Sequence, residues 1–203
     1  MKLKPPDLWP PVGLSREEHE ATKTLHVMVF SLRYFVETWA AALELFRFGK
    51  SRPEYVKRDL ARQWQWITIH ECAMQIAFLL EALTIIRAHR LRPCQTVRLH
   101  FDRGSMRRAF GLFEEYFPNF EEVRHAVAHR GSVSFSPEKH APDGLFGIAR
   151  ITDADRFETT YEGVQYHLDI TAETLGRMAD VVTTFWAAFA PVEKVFDRLG
   201  RSD

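Results

Sequence analysis

Residues 67–86 read ITIHECAMQIAFLLEALTII, the most apolar run in the chain. A run of this length can cross a bilayer as a helix. His70, Glu71, Gln75 and Glu81 interrupt it, however, and such groups are costly in hydrocarbon. The stretch therefore reads as a helix that is apolar over most of its surface between 64 and 86, central in a bundle or covered by a partner chain. Ser51 with Glu54, and Pro53 in the first turn, predict that this helix opens near 51 and runs to about 90, where Pro93 stops it.

The flanking segments extend the same pattern. Ser15 with Glu18 forms a capping box for an earlier helix over 16–47. Its stripe of Leu25, Val29, Leu32, Val36, Ala40, Leu43 and Phe46 keeps spacings of three and four. Gly49 is expected to end it. Residues 1–14, MKLKPPDLWPPVGL, hold four prolines and no apolar signal core, so they read as an extended arm and not a signal peptide. After the long helix, Asp102 or Ser105 predicts a third helix ending near Phe117 and Pro118. Asn119 with Glu122 predicts a short fourth. Beyond Gly131 the period changes. LFGIARI (145–151), RFETTYE (156–162) and GVQYHLDI (163–170) are strand-like, with a turn at Glu162 and Gly163. Thr171 then caps a last helix to about 199. Leu175, Met178, Val182, Phe185, Phe189 and Val192 face inward, and Pro191 is expected to kink it. The fold class is mainly α, a helical bundle with a small β-meander inserted before the C-terminal helix. The chain reads as one domain over 1–203, with the strand-containing insertion at 131–170.

Composition narrows the function. The formal net charge is zero over 203 residues, which excludes a uniformly basic nucleic-acid binder but leaves room for a local basic patch. Cys72 and Cys94 have no metal-ligand spacing, and Cys72 lies in an apolar helix. The expectation is a reduced, cytoplasmic chain with no membrane span.

One stretch carries candidate chemistry. Residues 121–131 read EEVRHAVAHRG and set Arg124, His125, His129 and Arg130 within seven positions before Gly131. An ordinary helix C-terminus explains part of this, because cations suit the unpaired carbonyls there and glycine suits the cap. With 20 Arg and 9 His in the chain, an Arg followed by a His after four to six residues carries little weight alone. Arg124 and His129 are nevertheless the single instance, and they sit at the end of a helix in a helical chain.

These residues resemble the Arg-x4–6-His motif of HEPN domains, in the form R-[N/D/H]-x-x-x-H, here RHAVAH at 124–129. HEPN domains are helical and occur in prokaryotic toxin–antitoxin, phage-defence and CRISPR-linked ribonucleases. The resemblance covers the motif, the long helices before it, and the late strand pair with its terminal helix. It implies that Arg124 and His129 are catalytic and that His125 is the supporting polar position. It also implies a homodimer that brings two motifs into one cleft, with an antitoxin or other protein as a further partner. Many HEPN proteins have no demonstrated cleavage, so the alternative is a non-catalytic homodimeric interaction or nucleotide-binding module.

The chemistry asks for the same residue types. Metal-independent RNA cleavage uses the ribose 2′-hydroxyl as nucleophile, so a group titrating near neutrality must move a proton, and imidazole suits that. Negative charge then grows on the phosphoryl oxygens, where a forked guanidinium stabilises it. Arg124 and His129 are five residues apart, about 140° past a full turn of helix, so they converge only if His129 lies where the helix frays. His125 and His129 share a face. Their His-x3-His spacing raises a zinc alternative, but the spacer AVA lacks the glutamate of zinc proteases, and a third ligand would have to come from Glu121, Glu122 or elsewhere. The expectation is no metal and no cofactor.

Residues 87–108, RAHRLRPCQTVRLHFDRGSMRR, add seven Arg and two His against Asp102 alone. Clustered guanidinium groups bind phosphates, so Arg103, Arg107 and Arg108 are candidate RNA contacts. The competing reading is a solvated connector balanced by Glu114 and Glu115. Arg130 is either a dipole complement or a further RNA contact. Trp64 and Trp66 can stack on bases or anchor the core. Glu71 or Glu81 is a candidate partner for Arg33, or for the motif arginine.

Overall fold

The structure, a computed structural model, describes residues 3–51, 54–128, 150–161 and 164–200. Its first helix, α1 (Arg16–Ser51), begins at the expected cap: the Glu18 N–H donates to Ser15 Oγ at 3.3 Å. The other half of the capping box is not formed, because the Glu18 carboxylate accepts the Thr96 N–H instead. Leu25, Val29, Leu32, Val36, Leu43 and Phe46 are buried as their spacing predicts, and Ala40 is half-buried.

The helix does not end at Gly49. It runs through that residue, because Gly49 serves packing and not termination. A β-carbon there would lie 2.9 Å from the carbonyl oxygen of Ala61 on the next helix. Glycine is thus what lets the two backbones approach. Gly49→Ala is expected to destabilise the protein by about 1–3 kcal/mol through overpacking. Denaturant unfolding measures this, and an unchanged midpoint would show that the helices part freely.

Helix α2 (Arg58–Ile85) starts later than expected, with Glu54 and Tyr55 in a turn before it, and Pro53 lies outside the described residues. It continues through a π-helical turn, Ile86–Arg90, to the predicted end. Residues 58–90 are long and apolar enough to cross a membrane by length and composition. In the fold, Ile69, Cys72, Ala73, Ile76, Leu79, Leu83 and Ile86 are buried within protein. Burial pushes the Cys72 thiol well above its usual range, as expected of an unreactive core cysteine.

A short α3 (Gln95–His100), absent from the sequence reading, precedes α4 (Arg103–Tyr116) and α5 (Phe120–Ala128). Strands β1 (Arg150–Ile151), β2 (Arg156–Tyr161) and β3 (Val164–Asp169) form an antiparallel sheet in that order. Arg156 pairs with Asp169 and Tyr161 with Val164 across β2 and β3. The expected turn residues Glu162 and Gly163 lie outside the described residues, as does most of LFGIARI. Thr171 caps α6 (Ala172–Ala187), its Oγ1 accepting the Thr174 N–H at 3.3 Å.

Pro191 breaks the last helix where a kink was expected. A proline cannot donate to the carbonyl four residues back and clashes with it. Helix α6 therefore stops at Ala187, and α7 (Ala190–Leu199) starts anew with Pro191 in its first turn. The Ala188 carbonyl released by the break accepts the Asp102 N–H at 2.8 Å. The chain is thus mainly α, with a small three-stranded sheet before its last two helices.

Two compact units emerge, each discontinuous in sequence. One comprises residues 1–36, 78–116 and 177–203. Its core includes Leu25, Val29, Leu83, Met106, Phe113, Phe185, Phe189 and Phe196. Trp186 Nε1 donates to the Val29 carbonyl at 2.9 Å. The N-terminal arm belongs here: Leu8 is fully buried, and its N–H donates to His26 Nδ1 at 3.1 Å. The other unit comprises residues 37–77 and 117–176. Here α5 packs on β2 and β3, and Trp39, Ile69, Val123, Ala126, Phe157 and Leu168 are buried. Lys50, near the end of α1, donates to the Asp153 carbonyl at 2.8 Å and pairs with Asp155, whose φ of 58° suits a short polar side chain in a turn.

Candidate functional site

Helix α5 carries the motif. Val123 and Ala126 face the core, which leaves Arg124 and His125 half-buried on the other side. Glu121 and Glu122 occupy the first turn, where the macrodipole favours anions. Glu121 also engages the motif arginine. Arg124 Nε and Nη2 donate to the same Glu121 carboxylate oxygen at 3.2 and 2.9 Å. The Arg124 side chain remains about one-third exposed and that of Glu121 about one-half. Exchange of this carboxylate for a phosphate therefore requires little, since exposed ion pairs are worth about 0–1 kcal/mol.

Arg124 Nη2 also lies 3.2 Å from His125 Nε2. A guanidinium only donates, so Nε2 must accept. The supporting position thus touches the motif arginine directly. His129, Arg130 and Gly131 lie outside the described residues. Among the described residues, no group of three His, Cys, Asp or Glu side chains comes together as a metal site.

A residue from α2 joins the motif helix. His70, Trp66 and Ile69 line a cavity of about 80 Å³ with Ala126 and Val127 of α5 and Phe157 of β2. The ring of Trp66 meets Phe157 edge-on at 5.9 Å. Trp64 stacks obliquely on Phe48 at 5.3 Å. Both tryptophans are therefore packing anchors. The signal for this approach was weak in the sequence: Trp66 and His70 are one turn apart, but nothing local announces α5 or β2 as their neighbours.

The carboxylates on α2 play other parts. Glu71 accepts a hydrogen bond from Gln75 Nε2, and Glu81 is exposed. The guanidinium of Arg33 stacks over Phe30 at 4.0 Å and donates to Tyr34 Oη at 3.2 Å. The motif arginine is braced by Glu121, one turn away on its own helix, and not by a carboxylate of α2.

The arginine-rich segment belongs to the other unit. It spans the π turn, α3 and the start of α4, and all seven arginines are exposed. None of the seven forms an ion pair with a carboxylate among the described residues. Arg87 lies over Phe110 at 3.9 Å and Arg103 beside Phe101 at 6.0 Å, contacts that hold guanidinium groups in place. Arg103, Arg107 and Arg108 stand in the first half of α4, with Glu114 and Glu115 at its end. That order opposes the macrodipole, so local helix stability does not account for it.

Asp102 does not neutralise the set freely, because it caps α4. Its Oδ2 accepts the Ser105 hydroxyl at 2.6 Å and its Oδ1 the Gly104 N–H at 2.7 Å. The Ser105 bond first, then that of Gly104, holds the carboxyl below its ordinary value of 3.8. A depressed folded-state pKa contributes stability that is complete above the unfolded value and is lost as pH falls through the folded one. Asp102→Asn is therefore expected to be less stable than wild type at about pH 6, with the gap narrowing towards about pH 2. Urea unfolding at both pH values checks this, and a pH-independent gap would remove the carboxylate charge from the cap.

Compared with known proteins, the chain matches no family model, no curated protein and no solved structure.

Proposed function

We propose that this chain is a HEPN-like, metal-independent endoribonuclease of the cytoplasm, acting as a homodimer in a toxin or defence system. The observation that carries the reading is the contact on α5 of a partly exposed guanidinium with an imidazole, Arg124 with His125, at the start of the RHAVAH motif. In the proposed reaction the ribose 2′-oxygen attacks the adjacent phosphorus and its proton passes to imidazole. The bond from phosphorus to the 5′-oxygen breaks, and that oxygen gains a proton. The products are a 2′,3′-cyclic phosphate and a 5′-hydroxyl. His129 moves the proton, Arg124 stabilises the phosphoryl oxygens, and His125 orients Arg124. Exposed Leu60, Ile67 and Phe78 on α2 suit a protein interface, either between two copies or with an antitoxin.

A second reading keeps the fold and drops the cleavage. Glu121 holds the guanidinium that a phosphate would need, as a non-catalytic interaction or nucleotide-binding module would tolerate. Incubation of purified protein with RNA in excess EDTA separates the two. Cleavage with cyclic phosphate ends supports the ribonuclease, and binding without cleavage supports the module.

A further inference from the structure

We propose that Arg87 and Phe110 form a stacking platform for an unpaired nucleobase, beside a phosphate track made by Arg107 and Arg103, so that this face binds single-stranded RNA. The choice of RNA rests on the ribonuclease reading; the platform itself rests on geometry. Arg87 stands in the π-helical turn Ile86–Arg90, a form of helix that occurs mostly as single turns and frequently at functional sites. Its guanidinium carbon lies over the Phe110 ring of α4, 3.9 Å from the centroid. The ring thus covers one face of the guanidinium. Arg87 is exposed, so the other face meets solvent, and its N–H groups reach no carboxylate among the described residues. Arg33 differs. Its guanidinium also lies over a ring, that of Phe30 at 4.0 Å, but the residue is half-buried and donates to Tyr34 Oη. Arg33 is a packing group, whereas Arg87 is held at one face and open at the other.

The neighbours of Phe110 supply further charge. Arg107 precedes it by three residues and Arg103 by seven, so the three share one face of α4. Glu114, four residues after Phe110, continues that face with the opposite charge. A polyanion on this face therefore extends from the platform past Arg107 to Arg103, and not towards Glu114. The platform decides which polyanion. A guanidinium plane stacks on a base, while the forked edges of its neighbours suit phosphate. In a duplex each base is already paired and stacked, so only an unpaired base uses the platform. An acidic peptide would use the charges alone and leave the open face of Arg87 idle.

The test uses strands that cannot be cut, which keeps it independent of cleavage. Oligoadenylate with 2′-O-methyl riboses, a strand of equal length without bases, and a duplex of the same backbone are each titrated into the full chain and followed by fluorescence anisotropy. Oligoadenylate should bind about ten-fold or more tighter than the strand without bases, the scale of one stacked base. Arg87→Lys keeps the charge and loses the planar face. It should erase that gain and leave the other two ligands, and the salt slope, as in wild type. Arg87→Gln removes the charge as well and should weaken all three. Both changes fall at an exposed position, and thermal unfolding checks the fold. Wild-type affinity for oligoadenylate in Arg87→Lys, equal losses for all three ligands in that variant, or oligoglutamate competing as well as oligoadenylate would overturn the platform. The expected pattern in a protein that cuts no RNA in EDTA would sink the ribonuclease reading and leave the platform standing. RNA cleavage with oligoadenylate binding unchanged in Arg87→Lys would do the reverse.

Discussion

Arg124→Ala and His129→Ala are each expected to lower RNA cleavage by about 10²–10⁴-fold, the usual contribution of a positioned proton-transfer group or charge stabiliser. The fold should survive both changes. Arg124 is partly exposed and its ion pair with Glu121 lies at the surface, so its loss removes little packing. Arg124→Lys should fail nearly as badly, because the observed contacts use the fork: Nε and Nη2 on Glu121, and Nη2 on His125. An ammonium group cannot reproduce that geometry. Glu121→Gln should act in the opposite direction, since it removes a carboxylate that competes with phosphate for the guanidinium. RNA affinity should rise, most at low salt. Cleavage that persists in both alanine variants would remove these residues from the mechanism, and cleavage that depends on added zinc would favour the zinc alternative. If the site is composite across a homodimer, mixing Arg124→Ala with His129→Ala chains should restore part of the activity that each lacks.

Replacing Arg103, Arg107 and Arg108 together by Gln should weaken RNA binding and flatten its salt dependence. If each contacts one phosphate of a single strand, the slope of log affinity against log salt should fall in magnitude by about 2. The structural argument is that these guanidinium groups are exposed, carry no carboxylate partner among the described residues, and crowd the half of α4 where the macrodipole disfavours them. Removing them should therefore leave helix stability unchanged or slightly improved, which thermal unfolding can read in parallel. An unchanged salt slope would return the segment to a solvated connector. The prediction does not depend on the motif chemistry, because residues 87–108 and α5 belong to different units.

Much of the fold was legible because local rules and burial agreed. The stripe from Leu25 to Phe46, the Thr171 cap, the Asp102 start of α4 and the strand-like runs near 156 and 164 all appear where the sequence places them. Local rules erred where a residue answered to a distant neighbour. Gly49 resembles a helix stop but serves the approach of Ala61. Glu18 resembles half of a capping box but reaches Thr96. Helix α3 is only six residues long, too short for periodicity to register.

The candidate site divides along the same line. By itself the sequence determined that Arg124 and His125 would share a short helix, since adjacency and helical geometry suffice for that. It likewise determined that seven arginines would gather near α4. Only the tertiary structure decided that no carboxylate of α2 would hold Arg124, and that Trp66 would pack on Phe157. It alone placed His70 beside Ala126 and Val127. The reason is physical. Spacing along a helix fixes which side chains are neighbours within one turn, whereas the meeting of α2, α5 and β2 depends on how three apolar faces, far apart in the chain, bury one another.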